Sequence, residues 1–129
     1  MRTEQDVEAF LLRYKKTFTT LDGAPPTYWL SPGEGLPNVA VRVDAPIVIV
    51  RAEIGELERP DNVKLLTRLL ELNAQALMHS AYGLEGQRIV LAAALELENL
   101  DYNELVAVLD EIEVALAREA RELHSLNGH

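Results

Sequence analysis

The 129-residue chain contains no cysteine, which excludes a disulfide framework, a thiolate nucleophile and a sulfur-ligated metal. Its only histidines are His79, His124 and His129, and two of these lie at the C-terminus, so little is available for an oriented nucleophile–base pair. No apolar run approaches the length needed to span a bilayer, so no membrane association is expected. Positive charge is scarce as well. A formal net charge of −9 works against direct nucleic-acid binding, which depends on clustered Lys and Arg releasing counterions. The N-terminal Met1-Arg2-Thr3-Glu4-Gln5-Asp6 carries acids and lacks the apolar core of a signal peptide, and a cytoplasmic chain is expected.

Apolar residues make up 48% and charged residues 26%, the balance of a globular chain, and the length suits one domain over 1–129. No internal repeat or linker divides it. Charge is uneven: from Glu85 onward there are ten acids against Arg88, Arg118 and Arg121, a net of −7, as expected of a solvated acidic helix.

Thr3 and Asp6 have capping-box spacing, and Val7, Phe10, Leu11, Tyr14, Phe18 and Leu21 recur at helical spacing, predicting a first helix over about 3–20. Asp22-Gly23-Ala24-Pro25-Pro26 breaks it. Thr27-Tyr28-Trp29-Leu30 favours a strand, and a Pro- and Gly-rich loop follows. Strands are expected over about 38–43 and 46–55 from the alternation of Val39, Val41 and Val43 and the run Ile47-Val48-Ile49-Val50. Arg59-Pro60-Asp61 announces a second helix reaching about Ser80. Residues 81–97 read as a hairpin whose second strand, apolar on both faces until Glu96, should be central or covered on both sides. Asp101 and Glu104 cap a third helix over about 102–125. The expected class is α+β, in the order α-β-β-β-α-β-β-α, with helices packed on a five-stranded sheet.

The second helix carries more apolar surface than one sheet face needs. Advancing about 100° per residue, Lys64, Thr67, Arg68, Glu71, Gln75 and His79 share one polar arc, leaving roughly 200° apolar. Val63, Leu66, Leu70, Ala74 and Leu77 form one side of that arc; Leu65, Leu69, Leu72 and Ala76 form the other. Asn73 lies between them, and an unpartnered buried amide costs about 1–3 kcal/mol, so it should bond nearby backbone or mark a partly wet interface.

Chemistry-bearing motifs are lacking. Gly33-Glu34-Gly35 has neither the third glycine nor the strand-to-helix setting of a dinucleotide-binding turn, and no helix carries a His with an acid at i, i+4, so no cofactor and no metal is expected. Glu96 and Glu98 extend an apolar strand past the sheet, and His79 is placed in the last turn of the second helix, where the dipole favours its charged form. Trp29, without basic neighbours in sequence, reads as a strand packing residue or a contact for a partner.

The segment from Leu65 to Leu123 resembles the YbjN family, related in fold to type III secretion chaperones. The residues responsible are Leu69-Leu70-Glu71-Leu72-Asn73-Ala74, Arg88-Ile89-Val90-Leu91, and Leu95-Glu96-Leu97-Glu98-Asn99-Leu100-Asp101 leading into Glu104-Leu105. The resemblance implies a twisted antiparallel sheet and a homodimer that binds another bacterial protein as a chaperone or regulator, without catalysis. The alternative is a small-ligand sensor or enzyme whose site forms between two copies. The expected dimer or partner surface comprises Leu65, Leu69, Leu72, Asn73 and Ala76, with Trp29 as a further contact.

Overall fold

The structure, a computed structural model, describes residues 2–15, 18–21 and 25–128. Its elements run α1 (Glu4–Tyr14), β1 (Thr19–Leu21), β2 (Thr27–Leu30), β3 (Val39–Asp44), β4 (Ile47–Glu56), α2 (Val63–Gln75), β5 (Ala81–Glu85), β6 (Arg88–Glu96) and α3 (Tyr102–Asn127). All six strands form one antiparallel sheet in the order β1-β2-β3-β4-β6-β5. The class and the central place of β6 match the sequence reading, but the sheet has six strands rather than five.

The extra strand comes from the expected tail of the first helix. The chain leaves the helix at Lys15, which is extended, and Thr19–Leu21 pairs with Thr27–Trp29. Phe18-Thr19-Thr20-Leu21 is rich in β-branched and aromatic residues, and a neighbouring ladder satisfies its backbone better than a fraying helix end. The break at Asp22-Gly23-Ala24 lies outside the described residues.

The pleat places Tyr28, Val41, Val50, Leu91 and Tyr82 on one face, where they meet Val7 and Leu11 of α1 and Leu105, Leu109, Ile112, Leu116 and Leu123 of α3. Each fully buried aliphatic side chain contributes about 1.5–3 kcal/mol. The α1 helix also docks through tyrosines. Tyr14 places its hydroxyl 2.8 Å from Asp110 and 3.1 Å from Glu113 of α3, while Tyr28 places its hydroxyl 3.1 Å from Glu4 and 3.2 Å from Glu8. The opposite face of the sheet carries Trp29, Ala40, Arg42, Ile49, Arg51, Ala92 and Ala94, and none of the three helices covers it.

Both helices after the first are fixed at their ends by side chains. Asp101 and Glu104 form the expected reciprocal cap, with the Glu104 amide donating to Asp101 at 2.8 Å. At the start of α2 the cap is Asn62 rather than the Pro60-Asp61 pair: its Oδ1 accepts from the Leu65 amide at 3.1 Å, and its Nδ2 donates to the Leu126 carbonyl at 2.9 Å. Asn127, also buried, accepts from the Glu58 amide (3.2 Å) and donates to the Glu56 carbonyl (2.7 Å), tying the end of α3 to the β4–α2 connection.

The α2 helix stops at Gln75, five residues before the expected end, because Glu111 of α3 takes the amides that would continue it. The Glu111 carboxylate accepts from the amides of Met78 and His79 and from the Ser80 hydroxyl. His79 is therefore an exposed loop residue held by its backbone, not a helix-terminal cap. Burial raises the Glu111 pKa, but the three hydrogen bonds outweigh burial and hold it below the ordinary carboxylate value. A lowered folded value means that the contribution is present above the unfolded pKa of about 4.3 and is lost as pH falls through the folded value. Urea midpoints measured between neutral pH and pH 3 should therefore fall more steeply for the wild type than for Glu111→Gln. Parallel curves would show that the clamp contributes nothing.

Candidate protein-binding surface

The rotation of α2 is set by its contact with the hairpin. Asn73 donates through Nδ2 to the Tyr82 carbonyl (3.1 Å) and accepts through Oδ1 from the Tyr82 amide (2.7 Å), as a neighbouring strand would. Of the two options for this amide, backbone bonding is the one observed. Its anchorage turns Leu65, Leu69 and Leu72 into the core, and Ala76 is partly buried against the same cluster.

The expected contact surface is therefore corrected. Leu65, Leu69 and Leu72 are spent on the chain's own interior, and the other side of the apolar arc is the one presented outward. Val63 is 71% and Leu70 69% exposed, with Leu66 half-buried between them. Leu84 of β5, 46% exposed, extends this stripe, and an apolar groove of about 290 Å³ runs between the helix and the strand, lined by Leu66, Leu69, Leu70, Asn73, Tyr82 and Leu84. Met78, 88% exposed, stands on the clamped loop beyond the helix end.

Sequence reading missed Leu84 and Met78. Leu84 carried one signal, as the only large aliphatic side chain between the two glycines of the hairpin, Gly83 and Gly86. Trp29 lies on the uncovered sheet face, apart from the α2 stripe.

Beneath the groove, Tyr82 is held a second time. Its hydroxyl donates to Oε1 of Glu119 at 2.6 Å, and Arg118 donates to Oε2 from Nε (3.1 Å) and Nη2 (3.0 Å). Glu119 is 2% exposed, a carboxylate deep in the fold. Burial first, then the bond to Glu119, pushes the Tyr82 hydroxyl well above its ordinary pKa and keeps it a donor.

The titratable groups beneath this surface, Tyr82, Arg118 and Glu119, are bonded to one another. Among the described residues no group of three His, Asp or Glu is placed to hold a metal ion, and no helix is long and apolar enough to cross a membrane. Its chemistry is that of an apolar stripe over a polar anchor, suited to burying another polypeptide.

The family model CesT_Tir_1, which describes a type III secretion chaperone family, matches residues 1–129. Solved structures share the fold at low identity. A chain of the heterodimeric ExoU-SpcU complex from the type III secretion system of Pseudomonas aeruginosa is 15% identical with a TM-score of 0.66, covering 89% of this chain and 95% of that one. YbjN from E. coli, described as a putative transcription regulator, is 14% identical with a TM-score of 0.61 and 93% of each chain covered. A chain of the HopA1-SchA chaperone-effector complex is 14% identical with a TM-score of 0.61 and 88% of each chain covered. No curated protein matches the sequence. With the match spanning the whole chain, the protein belongs to the CesT_Tir_1 family of type III secretion chaperones.

Proposed function

We propose that the protein is a non-catalytic, chaperone-like binding module of the bacterial cytoplasm, acting as a homodimer on another protein. The observation that carries this reading is the outward stripe of α2. Val63, Leu66 and Leu70 are spaced 3 and 4 apart, the seam that lets two helices pack side by side, and Leu84 widens it. A seam of this kind is self-complementary when a second copy approaches across a two-fold axis. Family membership supports the client-binding part of the reading, and the HopA1-SchA structure is itself a chaperone-effector complex.

Light scattering at micromolar concentration tests the assembly. The expected mass is twice 14.4 kDa. Leu70→Glu, at an exposed position, should yield a folded monomer whose melting temperature no longer depends on protein concentration, whereas Leu69→Glu should unfold the chain by burying a charge. A monomeric wild type, or an intact dimer in Leu70→Glu, would overturn the reading.

A further inference from the structure

Of the large apolar side chains among the described residues, the three most exposed are Val63, Leu70 and Met78. They come from one stretch of chain and lie seven and eight residues apart, nearly symmetrical about Leu70. A two-fold axis at Leu70 therefore sets Val63 of one copy beside Met78 of the other, and it does so twice. The same operation sets half-buried Leu66 opposite exposed Ala74, large against small, and opposes no two charged residues of α2. A client segment has no reason to repeat this symmetry, whereas a second copy repeats it by construction.

Met78 is presented from a fixed point rather than from a frayed helix end. Glu111 of α3 accepts from its amide and from the amide of His79, while the Met78 side chain stands almost wholly in solvent. With no cysteine in the chain, Met78 carries its only sulfur apart from that of Met1. A thioether packs well against an aliphatic neighbour, but its sulfoxide is polar and loses that contact.

We infer that Met78 is a redox gate on the dimer. In the assembly the partner's Val63 covers it; in the free chain it is open to a peroxide, and once oxidised it keeps two chains apart. The sulfur lone pair takes one oxygen of hydrogen peroxide, the O–O bond breaks, sulfur is oxidised by two electrons to the sulfoxide, and the other oxygen leaves as water. The inference rests on the α2 dimer proposed above and adds its registration and its control.

The wild type would be exposed to the same hydrogen peroxide at about one-tenth and about one hundred times the dimer dissociation constant, and Met78 sulfoxide followed by peptide mass spectrometry. Mass action should make oxidation about tenfold slower at the higher concentration. The oxidised protein should keep its circular dichroism spectrum, while its dimer dissociation constant, from light scattering, rises about tenfold for each of the two contacts and about a hundredfold in all. Methionine sulfoxide reductase with dithiothreitol should restore the dimer. Met78→Leu should dimerise and ignore peroxide, and Met78→Gln should dimerise weakly without it. Equal oxidation rates at the two concentrations would place Met78 outside the contact and overturn the inference. So would an oxidised wild type that dimerises as before, a loss of helix on oxidation, or a Met78→Leu variant that dissociates in peroxide as the wild type does. A monomeric untreated wild type overturns the dimer and this inference together, whereas an untreated dimer indifferent to peroxide overturns this inference alone.

Discussion

Tyr82→Phe should lower the unfolding free energy by about 2–4 kcal/mol, although it removes a single oxygen. The cost arises on the other side of the bond. Glu119 is almost wholly buried and loses its 2.6 Å donor, leaving only the Arg118 contacts, and Arg118 is itself 54% exposed. If the penalty is the stranded carboxylate, Glu119→Leu in the Tyr82→Phe background should recover part of the loss, since matched apolar groups remove the demand. Urea unfolding of the two single variants and the double variant would measure the coupling. A Tyr82→Phe variant within 0.5 kcal/mol of wild type, about the error of such measurements, would mean that Glu119 does not depend on the hydroxyl.

Asn127→Ala should have a comparable effect, a loss of about 2–4 kcal/mol, for a different reason. No charge is involved. The amide joins backbone groups 69 and 71 residues distant in sequence, accepting from Glu58 and donating to Glu56 at the end of β4. Asn62 ties the same region through the Leu126 carbonyl, so one substitution should loosen both the end of α3 and the start of α2. Hydrogen exchange at the Glu58 and Leu65 amides should accelerate together. Acceleration at Glu58 alone would show that the two asparagines act independently.

Much of this fold was legible because periodicity and punctuation agreed. Val39, Val41 and Val43 alternate as a half-buried strand must, and Asp101 and Glu104 announce a helix that both side chains then cap. The failures share one physical cause, namely competition decided by a residue far away. Phe18–Leu21 fits a helical stripe as well as a strand, and only the ladder to β2 decides between them. Leu77–Ser80 could extend α2, but Glu111, more than thirty residues later, captures its amides. The outward side of α2 was the hardest to read. Two apolar flanks of equal quality lie on that helix, and the bonds from Asn73 to Tyr82 decide which flank faces inward. Trp29 was legible as a strand residue, but its arginine neighbours come from other strands and have no trace in the local sequence.

The grip of Asn73 on Tyr82 also governs how the sheet can grow. An outer strand normally offers its amides and carbonyls to any extended chain that arrives, and β5 is the terminal strand on its side. Here Tyr82, the second residue of that rim, is already matched by an amide side chain imitating a strand, so an incoming chain finds no continuous template there. A rim interrupted in this way resists edge-to-edge pairing with other extended chains.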